Sequence, residues 1–245
     1  GAVSTPAHTP TVRLHLFGVT PARIPSAIAR MGTTRWSLRG LNHLVFSKLL
    51  GTAAPTTFTT TSADPLHWGM LTVWSDAAAA EAFDASRAVR SWELIAHEAL
   101  RMTMLPIASQ GHWSGRQPFG EPDGSAGRDH SGPVAAITRA RLKASKAAEF
   151  GRASEQVAQA LREVNGLLLS TGIGEAPLLL QGTFSIWESA QAMREFAYSN
   201  PAHTEVIART PDIGWYAEEL FARFAVTDLR GTFAGLSFDH PHERS

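Results

Sequence analysis

Ten histidines and no cysteine set the chemistry open to this chain. Without a thiol there is no cysteine nucleophile, no disulfide, no thiolate ligand for haem and no cysteine-type zinc site. Histidine is left as the main metal ligand. His203, within YSNPAHTEVIART, is the best placed. Asn200 can cap a new helical turn and Pro201 suits its first position, so His203 comes third. Val206 and Ile207 lie three and four residues later on the same face, which aims the imidazole at an apolar interior. That placement suits metal ligation if the other ring nitrogen finds a polar partner. It also suits a core histidine bonded to backbone. The remaining histidines rank lower. His8, His130, His240 and His242 fall in leader, linker or tail, and the run DHPHE at Asp239–Glu243 reads as a ragged end rather than a metal site. His15 sits on a strand with Arg13 and Phe17 and faces either the barrel interior or solvent, His43 lies in an unclear region, His67 precedes a strand, His97 ends a helix and His112 belongs to a turn.

Other catalytic motifs are missing. Gly172 and Gly174 begin a GxGxxG pattern, but Pro177 replaces the third glycine and the segment leads into a strand, which disfavours a dinucleotide site. There is no P-loop, HExxH or GxSxG elbow. Twenty-two basic residues balance 22 acidic ones, so no broad attraction for nucleic acid or anionic membrane is expected. Basic residues interleave poorly with aromatics, which also argues against nucleic acid. No apolar run approaches the roughly 20 residues of a membrane-spanning helix. Gly1–Pro10 lacks the pattern of a signal peptide and reads as a disordered leader, so a cytoplasmic location is expected.

These residues must be positioned by alternating strands and helices. Val12–Val19 (VRLHLFGV) alternates apolar and polar residues like a half-buried strand. A short helix is predicted near Pro25–Met31. Residues 32–66 are harder to read, with Leu44–Leu50 either strand or helix. His67–Trp74 reads as a strand, and Asp76 as the N-cap of a long helix to about His97. Met102–Ala108 is a further strand. The order then recurs: strand Val134–Arg141, helix Ser145–Val164 ended by Asn165-Gly166, strands Leu167–Gly172 and Leu178–Trp187, a broken helix over 189–210, and strand Phe221–Asp228. Thr72–Ser86 and Ser185–Ser199 align with a constant offset (187 − 74 = 113) that matches Trp74 with Trp187, Phe83 with Phe196 and Ser86 with Ser199. Duplication is favoured over chance because the match falls at the same strand-to-helix corner. The expected fold class is α+β, with duplicated ferredoxin-like β-α-β-β-α-β units forming a dimeric α/β-barrel within one chain. The expected division is a leader (1–10), an N-terminal half (11–116), a linker (117–132), a C-terminal half (133–230) and a tail (231–245).

GHWSGRQPF (Gly111–Phe119), ITRARLK (Ile137–Lys143), GIGEAPLLLQGTFSIWES (Gly172–Ser189) and WYAEELFARF (Trp215–Phe224) resemble the spheroidene monooxygenase family, the acyclic carotenoid 2-ketolases of purple bacteria. The resemblance covers most of the chain, is strongest from residue 111 onward and is slight over 32–66. It implies an oxidoreductase that uses O2 or peroxide to oxidise an apolar or natural-product substrate, with haem b, an iron cofactor, as its probable cofactor. Duplicated barrels of this kind in chlorite dismutases and dye-decolorising peroxidases carry haem on a histidine of the C-terminal half, which is an analogy of fold. On that reading His203 is the metal ligand, and its first-half counterpart is Arg90. Cofactor-binding candidates are then His203, Arg116, Arg209, Trp215 and Gly182, with Arg139 the third arginine for the propionates. Trp215 and Tyr216 would wall the proximal side, and Glu218 or Glu219 would orient His203. The catalytic candidates are Gln181, Thr183 and Phe184. If apolar residues face the covering helices, Gln181, Thr183 and Ser185 face the barrel interior. If the cofactor lies between sheet and helix, Phe184 and Gly182 line its pocket. No flavin or NAD motif appears, so an external electron donor is expected. Self-association stays open. The alternatives are a haem enzyme of non-oxygenase type, acting in aldoxime dehydration or N–N bond formation, and a cofactor-free barrel monooxygenase or binding protein.

Overall fold

Thr11–Val19 (β1) is buried along its whole length, on both faces. The half-buried strand expected from its alternation is therefore corrected. Val12, Leu14 and Leu16 belong to one apolar cluster, Phe17 and Val19 to another, and Arg13 and His15 are buried with the second set. A strand buried on both faces has a second layer over each. The computed structural model, which describes residues 9–53, 63–142, 165–175, 182–199 and 216–240, shows what those layers are.

The first half runs β1, α1 (Ile24–Ser37), β2 (Leu44–Ala53), β3 (Ala63–Trp74), α2 (Ala77–Ala82), α3 (Arg87–Glu93) and β4 (Ala96–Gly111). After the short α4 (Ser125–Arg128), the second half runs β5 (Val134–Leu142), β6 (Leu167–Gly174), β7 (Gly182–Trp187), α5 (Ala190–Ser199), β8 (Tyr216–Phe233) and β9 (Leu236–His240). The helix expected over Ser145–Val164 lies outside the described residues. The strands form one antiparallel sheet in the order β4-β1-β3-β2-β6-β7-β5-β8-β9, and β4 also pairs with β8. The first eight strands therefore close on themselves as a barrel. Closure leaves no unpaired edge among them. One face of every stave points into a sealed interior filled by residues of both halves, including Leu14, Leu71, Met102, Ile137, Phe184 and Phe224.

The duplicated corner is a shared packing unit. Trp74 packs at a tilt against Phe83 at 5.1 Å between ring centroids, and Trp187 likewise against Phe196 at 5.3 Å. Each indole N–H bonds a hydroxyl two residues back: Thr72 at 2.8 Å and Ser185 at 3.0 Å. The same side chains thus fix the helix to the sheet in each half.

Several boundaries differ from the sequence expectation. The long helix after Asp76 is broken. Asp76 does cap α2, accepting from the Ala79 N–H at 2.8 Å, but Ser86 is extended and caps a new helix through the Val89 N–H. β8 extends beyond the expected Phe221–Asp228 at both ends, from Tyr216 to Phe233, and its end pairs with β9, so 231–240 is a hairpin rather than a loose tail. The segment expected as a linker is anchored: Phe119 is fully buried and stacks edge-on against Phe224 at 4.8 Å.

Candidate functional site

One rim of the barrel carries charge on its inward phase. Ala135 and Ile137 of β5 belong to the barrel core, so Arg139 shares their side; Leu220, Ala222 and Phe224 of β8 place Glu218 likewise. The Arg139 guanidinium is buried and donates to Glu218 at 2.7 Å and to Glu175 at 3.0 Å. It also lies 5.0 Å from the centroid of the Trp113 ring. Lys48 of β2 reaches Glu175 at 3.2 Å and Ser114 Oγ at 2.6 Å. The Trp113 indole N–H donates to Glu175 as well. Ser114 and Gly115 both have positive φ, a turn that points successive N–H groups at one acceptor. Both donate to Glu218, at 3.0 and 2.7 Å.

Burial pushes the Glu175 carboxyl up, but Trp113, Lys48 and Arg139 outweigh it and hold it below the usual carboxylate range. Burial acts on Glu218 in the same way and is outweighed by the Gly115 N–H, Arg139 and the Ser114 N–H. Both carboxylates are therefore ionised, and neither is poised as a general acid at neutral pH. Two cations meet two anions, and the cluster locks the rim by tying β2 of the first half to β5, β6 and β8 of the second.

The outer faces of the halves can be compared residue by residue through strand register. In the first half one row reads Leu49, Met70, His15, Arg101, and the next Ser47, Thr72, Arg13, Thr103. In the second half the corresponding rows read Gly172, Thr183, Thr138, Phe221 and Ser170, Ser185, Ala136, Arg223. Leu49, Met70, His15 and Arg13 of the first half stand where the second has Gly172, Thr183, Thr138 and Ala136, whereas the outer column changes from Arg101 and Thr103 to Phe221 and Arg223. In the first half Leu49, Met70, Arg13 and His15 are buried. Arg13, His15 and Arg101 all converge on Asp84, His15 Nε2 at 2.8 Å and Arg101 at 2.7 Å. Burial lowers the His15 pKa more than Asp84 raises it, so the imidazole is neutral; burial raises Asp84, but His15 and Arg13 hold it far below the usual carboxylate range. The second-half row is different: Thr138, on a strand paired on both sides, is exposed. α5 packs over the Trp187 end of this face through Ala192 and Phe196. The remainder is a floor of small side chains edged by Phe221 and Arg223, both exposed.

Comparison with known proteins bears on what such a floor is for. No protein-family profile matches the chain. A spheroidene monooxygenase from Rhodobacter capsulatus is 31% identical over 228 residues, which are 92% of this chain and 94% of that protein. This chain belongs to the spheroidene monooxygenase family. It is therefore an oxidoreductase. A second spheroidene monooxygenase, from Cereibacter sphaeroides, is 33% identical over 69% of this chain and 52% of its own length. Among solved structures, an aldoxime dehydratase in complex with butyraldoxime shares the fold at a TM-score of 0.56 and 11% identity, over 89% of this chain and 79% of that one. The expected duplicated barrel is thus the architecture observed.

The segments by which the chain resembles the family meet in space. Trp113, Ser114 and Gly115, then Arg139, Glu175 and Glu218, come from four separate stretches and form the rim cluster. Of the residues expected to act, Gln181, His203, Arg209 and Trp215 lie outside the described residues. Thr183 stands on the small-residue floor. Phe184 and Ile186 point into the barrel, reversing the expectation that Thr183 and Ser185 would face inward and that Phe184 would line a pocket beneath the helices. Gly182 serves a close approach of backbone: a Cβ there would sit 2.3 Å from the Thr138 carbonyl oxygen of β5. Arg116 is exposed on the rim turn, where it pairs with Trp113 through backbone. His15 faces the helix layer, neither barrel interior nor solvent. Among the described residues no group of histidines and carboxylates has the arrangement of a metal site. Arg223, Lys48 and Glu175 were missed. A charged residue on the apolar phase of a strand was the readable signal for the rim cluster.

Proposed function

We propose that the protein is a haem-dependent monooxygenase that oxidises a carotenoid or similar apolar polyene, with cofactor and substrate over the outer face of the second-half sheet. The observation that carries this reading is the paired register: Gly172, Thr183 and Thr138 where the first half has Leu49, Met70 and His15. A flat macrocycle and an extended polyene both need a floor without long side chains. The substrate class follows from the activity named for the relatives, and haem from the family resemblance and the shared barrel. His203 would hold the iron, and Arg209 or Arg223 would pair with a propionate. When bound, haem would supply the O2- or peroxide-derived oxidant, with electrons from an external donor. Thr183 and Thr138 would give hydroxyls to the bed, and Phe221 would shield its edge from water.

Reconstitution with haem and an absorption spectrum test the cofactor. A Soret band that shifts or disappears in His203→Ala is expected. An absent band in the wild type would remove the haem, and an unchanged one in the variant would remove this ligand. Anaerobic turnover would move the chemistry to the non-oxygenase alternative.

A further inference from the structure

The balanced charge of the chain hides a local imbalance. Residues 1–63 hold six basic side chains (Arg13, Arg23, Arg30, Arg35, Arg39 and Lys48) and no carboxylate, which leaves 22 − 6 = 16 basic against 22 acidic in the rest. Three of the six are occupied. Arg13 is bound to Asp84, Arg30 donates to the Ser91 carbonyl at 2.7 Å, and Lys48 is held by Glu175. Arg23, Arg35 and Arg39 are exposed, and among the described residues none has an ion-pair partner. They lie on and beside α1, whose buried side is marked by Ala27 and Thr34. Its opposite side presents Pro25, Ile28, Gly32, Arg35 and Trp36. Ile28 is 56% exposed and Trp36 69%, and the Arg39 guanidinium sits 4.1 Å from the Trp36 ring centroid.

We infer that this face of α1 seats the protein on an anionic phospholipid bilayer. A helix about 21 Å long can lie in the interface with its indole and isoleucine among the acyl chains and its arginines at the phosphates. Tryptophan beside a cation suits the headgroup level, and each arginine adds attraction to anionic lipid. A second copy is a poorer occupant, because a symmetric contact would oppose arginine to arginine.

Flotation of the full chain with phosphatidylcholine–phosphatidylglycerol vesicles, against phosphatidylcholine alone, tests the docking without any turnover. Comigration with the anionic vesicles, weakened by salt, is expected. Arg35→Glu with Arg39→Glu, and separately Trp36→Ser, should each lower partition by about tenfold or more while the circular dichroism is unchanged. Ile28→Glu serves if Trp36→Ser fails to fold. No comigration, equal binding to neutral vesicles, or undiminished binding by the variants would overturn the inference. So would a dimer that Trp36→Ser dissociates in a protein that ignores vesicles, which would give the face to a second copy.

Discussion

The two halves share a chain path and a corner, yet their outer faces are built to opposite ends. The first half fills its face with Met70, Leu49, Arg13 and His15 and ties the charges to one aspartate under its helices. The second has Thr183, Gly172, Ala136 and Thr138 at those four places, and Thr138 is exposed in mid-sheet. A duplicated fold can divide its labour in this way because the barrel interior, shared by both, already supplies a common core. One outer face is then free to be emptied for a ligand.

The sharpest way to break this comparison is at Asp84. Asp84→Ala leaves Arg13 buried beside a neutral His15 with no counter-charge. Losing one member of a buried pair costs about 3–5 kcal/mol, the lower end fitting a carboxylate that retains some solvent. Urea unfolding would measure it, and a loss below about 1 kcal/mol would show that the first-half face is not held by its ions. Met70→Thr should come next, at about 2–3 kcal/mol, because it removes a buried thioether chain and leaves a hydroxyl in an apolar layer.

The reciprocal change, Thr183→Met, gives the second half its first-half residue. Stability should change by under about 1 kcal/mol, since the new side chain enters a gap rather than a packed core. Haem titration should show affinity falling about tenfold, which is about 1.4 kcal/mol. Unchanged haem affinity would mean that the floor is not the bed.

Part of this contrast was legible in the sequence. The period-2 strands, the Trp-and-Phe corner and the Asp76 cap depend on neighbours a few residues apart. The facing of the strands did not follow, because apolar residues such as Phe184 and Ile186 go to the drier side, and in a closed barrel that side is the interior. Nor did the burial of Arg13 and His15, whose partner is Asp84, 69 residues beyond His15. The rim cluster draws on five elements, and only its phase on β5 and β8 could have marked it. Of the candidate site, Thr183 lies on the outer face of the sheet, opposite to the facing inferred for it.

The smallest expected effect concerns the other rim, where a first-half histidine holds the carboxylate that meets the second half. His67 of β3 contacts Asp64 through Nδ1 at 2.6 Å and Glu98 through Nε2 at 2.7 Å, so both ring nitrogens donate and the ring is an imidazolium. Glu98 also accepts from the Ala234 N–H at 2.9 Å, in the turn that ends β8. The Asp64 contact raises the His67 pKa more than burial lowers it, and Glu98 adds to the rise. A raised folded-state pKa gives stability that is complete below about 6.5 and lost as pH climbs through the folded value. Wild-type stability should therefore fall by about 1 kcal/mol more than that of His67→Gln between about pH 6.5 and pH 9. Parallel curves for the two proteins would mean that the imidazolium does not clip the halves together. The Asp64 and Glu98 carboxyls are held low, so their share of the clip is present above about pH 4.5 and is lost on acidification. One rim is thus closed by an ion pair that crosses between halves, Lys48 to Glu175, and the other by a carboxylate that His67 holds for a backbone N–H of the second half, while the two outer faces differ.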